Sequence, residues 1–210
     1  MSNAEDTAVA LETNFQAFKS QARKIGANRF TEVFNSWLDG EDTKSLVLAP
    51  ASTRLDLVCA YPGGLVEHSL RVLMNMAKLR TAFGLQDTVP TKSLVLVSLF
   101  HDLGKAGTES KDFYIDNDSQ WHRDKLGQMY NINEQLHHWT PSQLSLFRLA
   151  QLGVQLDKDE WYSISTIGMP KTRGDDVPTN GEPMLSVLLQ QAVKLACIQG
   201  KGKKSATVIG

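Results

Sequence analysis

Cysteine is scarce: Cys59 and Cys197 are the only two, each inside an apolar segment and in no metal-type spacing. A disulfide framework or a thiolate cluster is thereby excluded, and reduced thiols in a cytosolic compartment are the expectation. An excess of charge of either sign is also missing, since 22 Lys and Arg face 23 Asp and Glu for a formal net charge of −1. Such a balance argues against a polyanion-binding surface, so a nucleic-acid partner is not expected. No apolar run approaches the roughly 20 residues needed to span a bilayer. The start, Met1-Ser2-Asn3-Ala4-Glu5-Asp6, has neither a basic opening nor an apolar h-region. Neither export nor a membrane anchor is indicated, and a cytoplasmic location is expected. Repeats and low-complexity tracts are absent too.

What is present is an ordinary globular composition, 41% hydrophobic and 21% charged over 210 residues. That length allows one sizeable core. The expected organisation is a single domain over 1–200, with N-terminal helices within 7–39 packed on a core at 53–199. Residues 201–210, with Lys201, Lys203 and Lys204, read as a flexible basic tail.

Helical periodicity dominates. Leu11, Phe15, Phe18, Ala22 and Ile25 form one stripe, and Phe30, Val33, Phe34, Trp37 and Leu38 a second that Gly40 stops. The stretch 41–53 reads as an irregular connection and 53–60 as a short helix. Pro62-Gly63-Gly64 breaks the chain before a long helix carrying Leu65, Ser69, Val72, Leu73, Met76 and Leu79. After a loop at 83–91, Pro90 opens a helix that Gly104 ends. Aromatic and β-branched residues around Asp116-Asn117-Asp118-Ser119 suggest a small β-hairpin near 111–124, or an excursion over the site. Thr140-Pro141 and the acidic turn at Asp157 start two more helices, and a last helix covers 184–198. Between them the Gly- and Pro-rich loop 168–183 is a candidate lid. The fold class is therefore all-α, with six to nine helices and one small hairpin.

The chemistry concentrates where the apolar run Leu94-Val95-Leu96-Val97-Ser98-Leu99-Phe100 ends in His101-Asp102. An imidazole and a carboxylate delivered together to a buried helix end need partners. A divalent cation supplies one, because both groups are common ligands and its charge keeps the carboxylate ionised. His68, one helix and a turn upstream, is the candidate third ligand. Lys105 can meet a phosphate drawn to the metal, and Arg71 lies three residues beyond His68. Trp121, His122, Arg123 and Lys125 group nitrogen donors beside a stackable ring, which suits a phosphate plus a base, or equally an exposed hairpin.

Gly63-Gly64-Leu65-Val66-Glu67-His68-Ser69 followed by His101-Asp102-Leu103-Gly104-Lys105 resembles the HD-domain metal-dependent phosphohydrolases. Asn117-Asp118-Ser119-Gln120-Trp121-His122-Arg123-Asp124-Lys125-Leu126-Gly127 is similar to a stretch in phage-encoded members, and the resemblance runs from about Tyr61 to Ala196. It implies an HD-type helical bundle with His68, His101 and Asp102 as metal ligands and His122 as an extra one. It further implies catalytic roles for Asp102 and Lys105, and Arg71, Tyr114, Trp121, Arg123 and Lys125 as substrate-binding groups. The cofactor would be a divalent ion (Mn, Mg, Co, Ni or Fe) and the partner a nucleotide or related phosphoester. A homo-oligomer is allowed, and the compartment is the host cytoplasm if the chain is phage-encoded. Two departures stand out. Val193 occupies the place of the family's late Asp ligand, and Ser165-Thr166-Ile167-Gly168 stands where a His-Asp-Gly is the pattern. The alternative implied is an HD-type protein that binds a nucleotide or a protein without turnover.

Overall fold

The computed structural model describes residues 2–26, 29–168 and 181–209. It is mostly helical, with nine α-helices among the described residues and one two-stranded antiparallel sheet. Helix α1 covers Ser2–Arg23, α2 Glu32–Asp39, α3 Lys44–Leu48, α4 Gly64–Ala82 and α5 Thr91–Phe100. Strand β1 (Tyr114–Asp116), α6 (Gln120–Leu126) and β2 (Tyr130–Ile132) follow. Then come α7 (Pro141–Gln151), α8 (Lys158–Thr166) and α9 (Met184–Gly200). No helix among the described residues is long and apolar enough to cross a membrane.

α5 is the central rod. Every residue from Ser93 to Phe100 is buried, as a helix apolar on all sides must be. Ser98, in the middle of that run, satisfies its hydroxyl by donating to the Leu94 carbonyl at 2.7 Å. α4 packs against α5 on one side and α9 on another, while α1 and α8 cover α5. The two N-terminal stripes meet α5 through its last residue. Phe18 and Phe34 set their ring edges against Phe100 with centroids 5.4 and 5.6 Å apart, and Phe30 stacks on Phe34. Burying rings of this size contributes about 2–3 kcal/mol each. It also holds the end of α5, and hence His101, in place.

Four expectations are corrected. The connection 41–53 contains a 3₁₀ turn at Glu41–Thr43 and the short helix α3. Residues 53–60 are not helical, because their backbone pairs elsewhere. Leu55 N–H donates to the Gly127 carbonyl, and the Thr53 carbonyl accepts from Met129 and Tyr130. The small sheet exists, with Tyr114 opposite Ile132 and Asp116 opposite Tyr130, but its return strand lies at 130–132. α6 fills the connection, started by Ser119, whose hydroxyl caps the His122 N–H, and stopped by Gly127 at φ 61°. The C-terminal lysine-bearing segment is no free tail. Asn14 donates to the Thr207 carbonyl and accepts from Ile209 N–H, both at 2.9 Å, and Thr207 N–H donates to Glu67. The candidate lid falls largely on 169–180, which lie outside the described residues.

Candidate metal centre

Two backbone devices place the first imidazole. Gly63 adopts φ +81° and caps α4, a conformation that suits glycine. Gly64 packs so tightly that a Cβ there would lie 2.0 Å from the Cys59 carbonyl oxygen. The glycine pair thus sets the origin of α4, and His68 follows one turn in, fully buried. His101 and Asp102 come off the end of α5 into a 3₁₀ turn, Leu103–Ala106. That turn is clamped by α7: Ser145 Oγ accepts from Gly104 N–H at 2.8 Å and lies 2.9 Å from the His101 carbonyl.

His68, His101 and Asp102 converge. Their ligand atoms all lie within 4.8 Å of one another, and all three residues are buried. His101 Nε2 is 3.5 Å and His68 Nε2 3.8 Å from Asp102 Oδ2, and the two imidazole centroids are 5.6 Å apart. Bonds of about 2 Å to one ion put its ligands roughly 3–4 Å apart, so little movement is needed to close on a cation.

The tautomers favour it as well. His101 Nδ1 is 3.0 Å from the Ser98 carbonyl, which can only accept, so Nδ1 carries a proton and Nε2 is the nitrogen turned to the cluster. That Nε2, and Nδ1 of His68, are buried with no hydrogen-bond partner. Each orphan costs about 1–3 kcal/mol in a closed interior, and a bound cation removes that cost for a nitrogen it engages. Burial is the main cause that pushes His68 down to about 3, against the pull of Asp102, so the ring is neutral and ready to ligate. Burial opposes ionisation of Asp102, yet the Lys105 ammonium, the strongest opposing influence, holds its carboxyl well below the usual range. Lys105 Nζ sits 2.7 Å from Oδ2, the oxygen both imidazoles face. Burial disfavours the Lys105 ammonium in turn, but Asp102 and Tyr114 keep it charged. The donor set, two imidazoles and one carboxylate, could therefore hold a divalent metal ion.

The remaining predicted residues divide. Tyr114 borders the same region, lining with Lys105 two cavities whose walls do not include His68. Arg71 does not reach the centre: its Nη2 donates to Glu67 Oε1 at 2.6 Å, and it lines a different cavity. Trp121 is 60% exposed on α6. Arg123 is engaged with the Asn117 carbonyl and Gln120, and Lys125 is exposed. His122 stacks edge-on to Trp121 and does not join the three ligands, because capping by Ser119 places it on a separate, mostly exposed helix.

His68, Asp102 and Lys105 open onto a cavity of about 420 Å³ whose far wall includes Val193 and Cys197 of α9. α9 thus borders the same cavity, offering a methyl-bearing side chain and a thiol there. Cys197 was not singled out from the sequence, although its position one turn after Val193 marks the same helix face. Burial pushes its thiol up, with Lys105 pulling it down and Asp102 adding to the rise. Ser145 was also missed, since a lone helical serine carries no signal until its partner turn is known. No model of a protein family matches the sequence, and neither a curated protein nor a solved structure matches it.

Proposed function

We propose that the protein is an HD-type, metal-dependent phosphohydrolase acting on a nucleotide or related phosphoester. The observation that carries this reading is the convergence of two imidazoles and one ionised carboxylate, with the buried Nε2 of His101, which faces Asp102, lacking a hydrogen-bond partner among the described residues. A divalent ion held by His68, His101 and Asp102 would polarise a phosphoryl oxygen and acidify water for attack on phosphorus. Lys105 supplies the positive charge nearest the carboxylate and is placed to offset charge on a phosphate in the cavity. Ser98 and Ser145 hold His101 and its turn in orientation. The cavity wall of Thr140, Gln143 and Ser165 offers hydrogen-bonding groups to the rest of the substrate, and Pro141, Ile167 and Val193 offer apolar surface.

Two observations favour a second reading, a binder without turnover. Val193 leaves the α9 side of the cavity without a carboxylate, and the Lys105 ammonium already occupies the Asp102 oxygen that the imidazoles face. One experiment separates the two. Protein purified without chelator is assayed for metal content, then for phosphate release across nucleoside mono- and triphosphates with Mn²⁺, Mg²⁺, Co²⁺ or Ni²⁺. Stoichiometric metal and turnover that falls at least a hundredfold in His101→Ala support the hydrolase. Metal-free protein whose melting temperature no ion changes, with no turnover, overturns it.

A further inference from the structure

Arg71 belongs to a second polar cavity, remote in chemistry from the metal centre. It has a volume of about 450 Å³ and lies where α4, the end of α9 and the C-terminal segment meet. Its lining holds three cations, Arg71, Lys78 and Lys203, and no acidic residue. Among the described residues the one carboxylate in contact is Glu67, fully buried, which Arg71 meets at 2.6 Å; Lys203 Nζ lies 3.5 Å from the same oxygen. Glu67 is already satisfied by Thr207 through both the backbone N–H and the hydroxyl, at 2.9 and 3.2 Å. The balance of charge facing the opening is therefore positive. Lys78 is exposed and forms no ion pair among the described residues.

The polar groups are fixed. Asn75, 5% exposed, is locked by donating to Gln199 Oε1 at 3.0 Å and to the Ala192 carbonyl at 3.3 Å. Thr207 is held by Glu67 on one side, and Lys203 Nζ donates to its hydroxyl at 3.0 Å. Val208 and Ile209 add apolar surface to the same wall. A pocket of this size combining several cations, fixed hydrogen-bonding groups and an apolar wall suits an anion that has a body as well as a charge.

We infer that this cavity is a binding site for a phosphorylated small molecule with a planar or apolar body, separate from the metal centre. The phosphate meets Lys78, Lys203 and Arg71, and the body lies against Val208 and Ile209. Because residues 203–209 form one wall and are tied to α1 through Asn14 and to α4 through Glu67, a bound anion clamps the C-terminal segment to the bundle.

The test uses ADP as the probe, titrated calorimetrically into the full chain at low ionic strength with excess EDTA, so that no metal centre can contribute. Saturable binding is expected, weakened at least tenfold in Lys78→Ala/Lys203→Ala and unchanged in His101→Ala. Hydrogen exchange at the amides of Thr207 and Ile209 should slow when ADP is present. Lys78→Glu, a change at an exposed side chain, gives the same loss of affinity should the double variant fold poorly, and Lys78→Arg retains binding. Absence of saturable binding, equal affinity in the lysine variants, or loss in His101→Ala overturns the proposal. None of these readouts depends on phosphate release, so failure here leaves the hydrolase reading standing, and the reverse.

Discussion

His68 links protonation to stability. Its pKa falls from 6.5 to about 3 on folding, chiefly through burial, so the unfolded chain binds the proton more tightly than the folded one. The stabilisation is complete above about pH 6.5 and is lost as pH drops toward 3, at about 1 kcal/mol per pH unit. Thermal melts in EDTA should therefore decline already between pH 6.5 and 5, before most carboxylates titrate, and His68→Gln should flatten that limb; identical limbs would refute the assignment. Val193 allows the complementary test. Its side chain lines the cavity of His68 and Asp102, so Val193→Asp should raise Mn²⁺ affinity at least tenfold by calorimetry. An unchanged affinity would mean that α9 stands too far off to ligate. At this scale the three residues that converge, His68, His101 and Asp102, were legible from residue type and order alone, because burying an imidazole-carboxylate pair demands a partner. The roles of Arg71 and His122 were not. A long side chain goes where the nearest counter-charge is, and for Arg71 that is Glu67, one helical turn back.

Helix boundaries followed local chemistry closely. Thr140 and Asp157 each form a capping box with the Gln or Glu three residues on, and α7 and α8 start where those signals say. The elements that sequence misjudged are those whose backbone donors are spent on distant partners, such as 53–55 against 127–130. The contact of α7 with the turn after His101 is of this kind. A Cβ on Gly104 would lie 2.3 Å from the Pro141 carbonyl oxygen and 2.8 Å from Ser145 N. Gly104→Ala should accordingly cost about 3 kcal/mol or more in chemical denaturation and weaken metal binding with it. A loss below about 0.5 kcal/mol would show that α7 yields and that the clamp is loose. The glycine of the His-Asp-Leu-Gly-Lys stretch is thus explained by helix packing.

Across the whole molecule, the C-terminal segment adds a tie between α1 and α4. It satisfies the buried Glu67 carboxylate and the buried Asn14 amide, and Lys201 bridges to Val58. Ending the chain at Gly200 removes these partners from Glu67 and leaves it paired with Arg71. We expect a loss of about 2–4 kcal/mol, read as a lower denaturation midpoint; an unchanged midpoint would return residues 201–209 to the role of a solvated tail. Residue order was enough to specify a helical protein, the starts of most helices and the three groups able to share an ion, since periodicity, capping and the cost of burying charge act over a few neighbours. Which cations face which cavity, that α9 closes the centre with Val193 and Cys197, and that a lysine-bearing end folds back onto Glu67 were settled by packing. Those outcomes depend on distances between segments far apart along the chain, which no short-range rule contains.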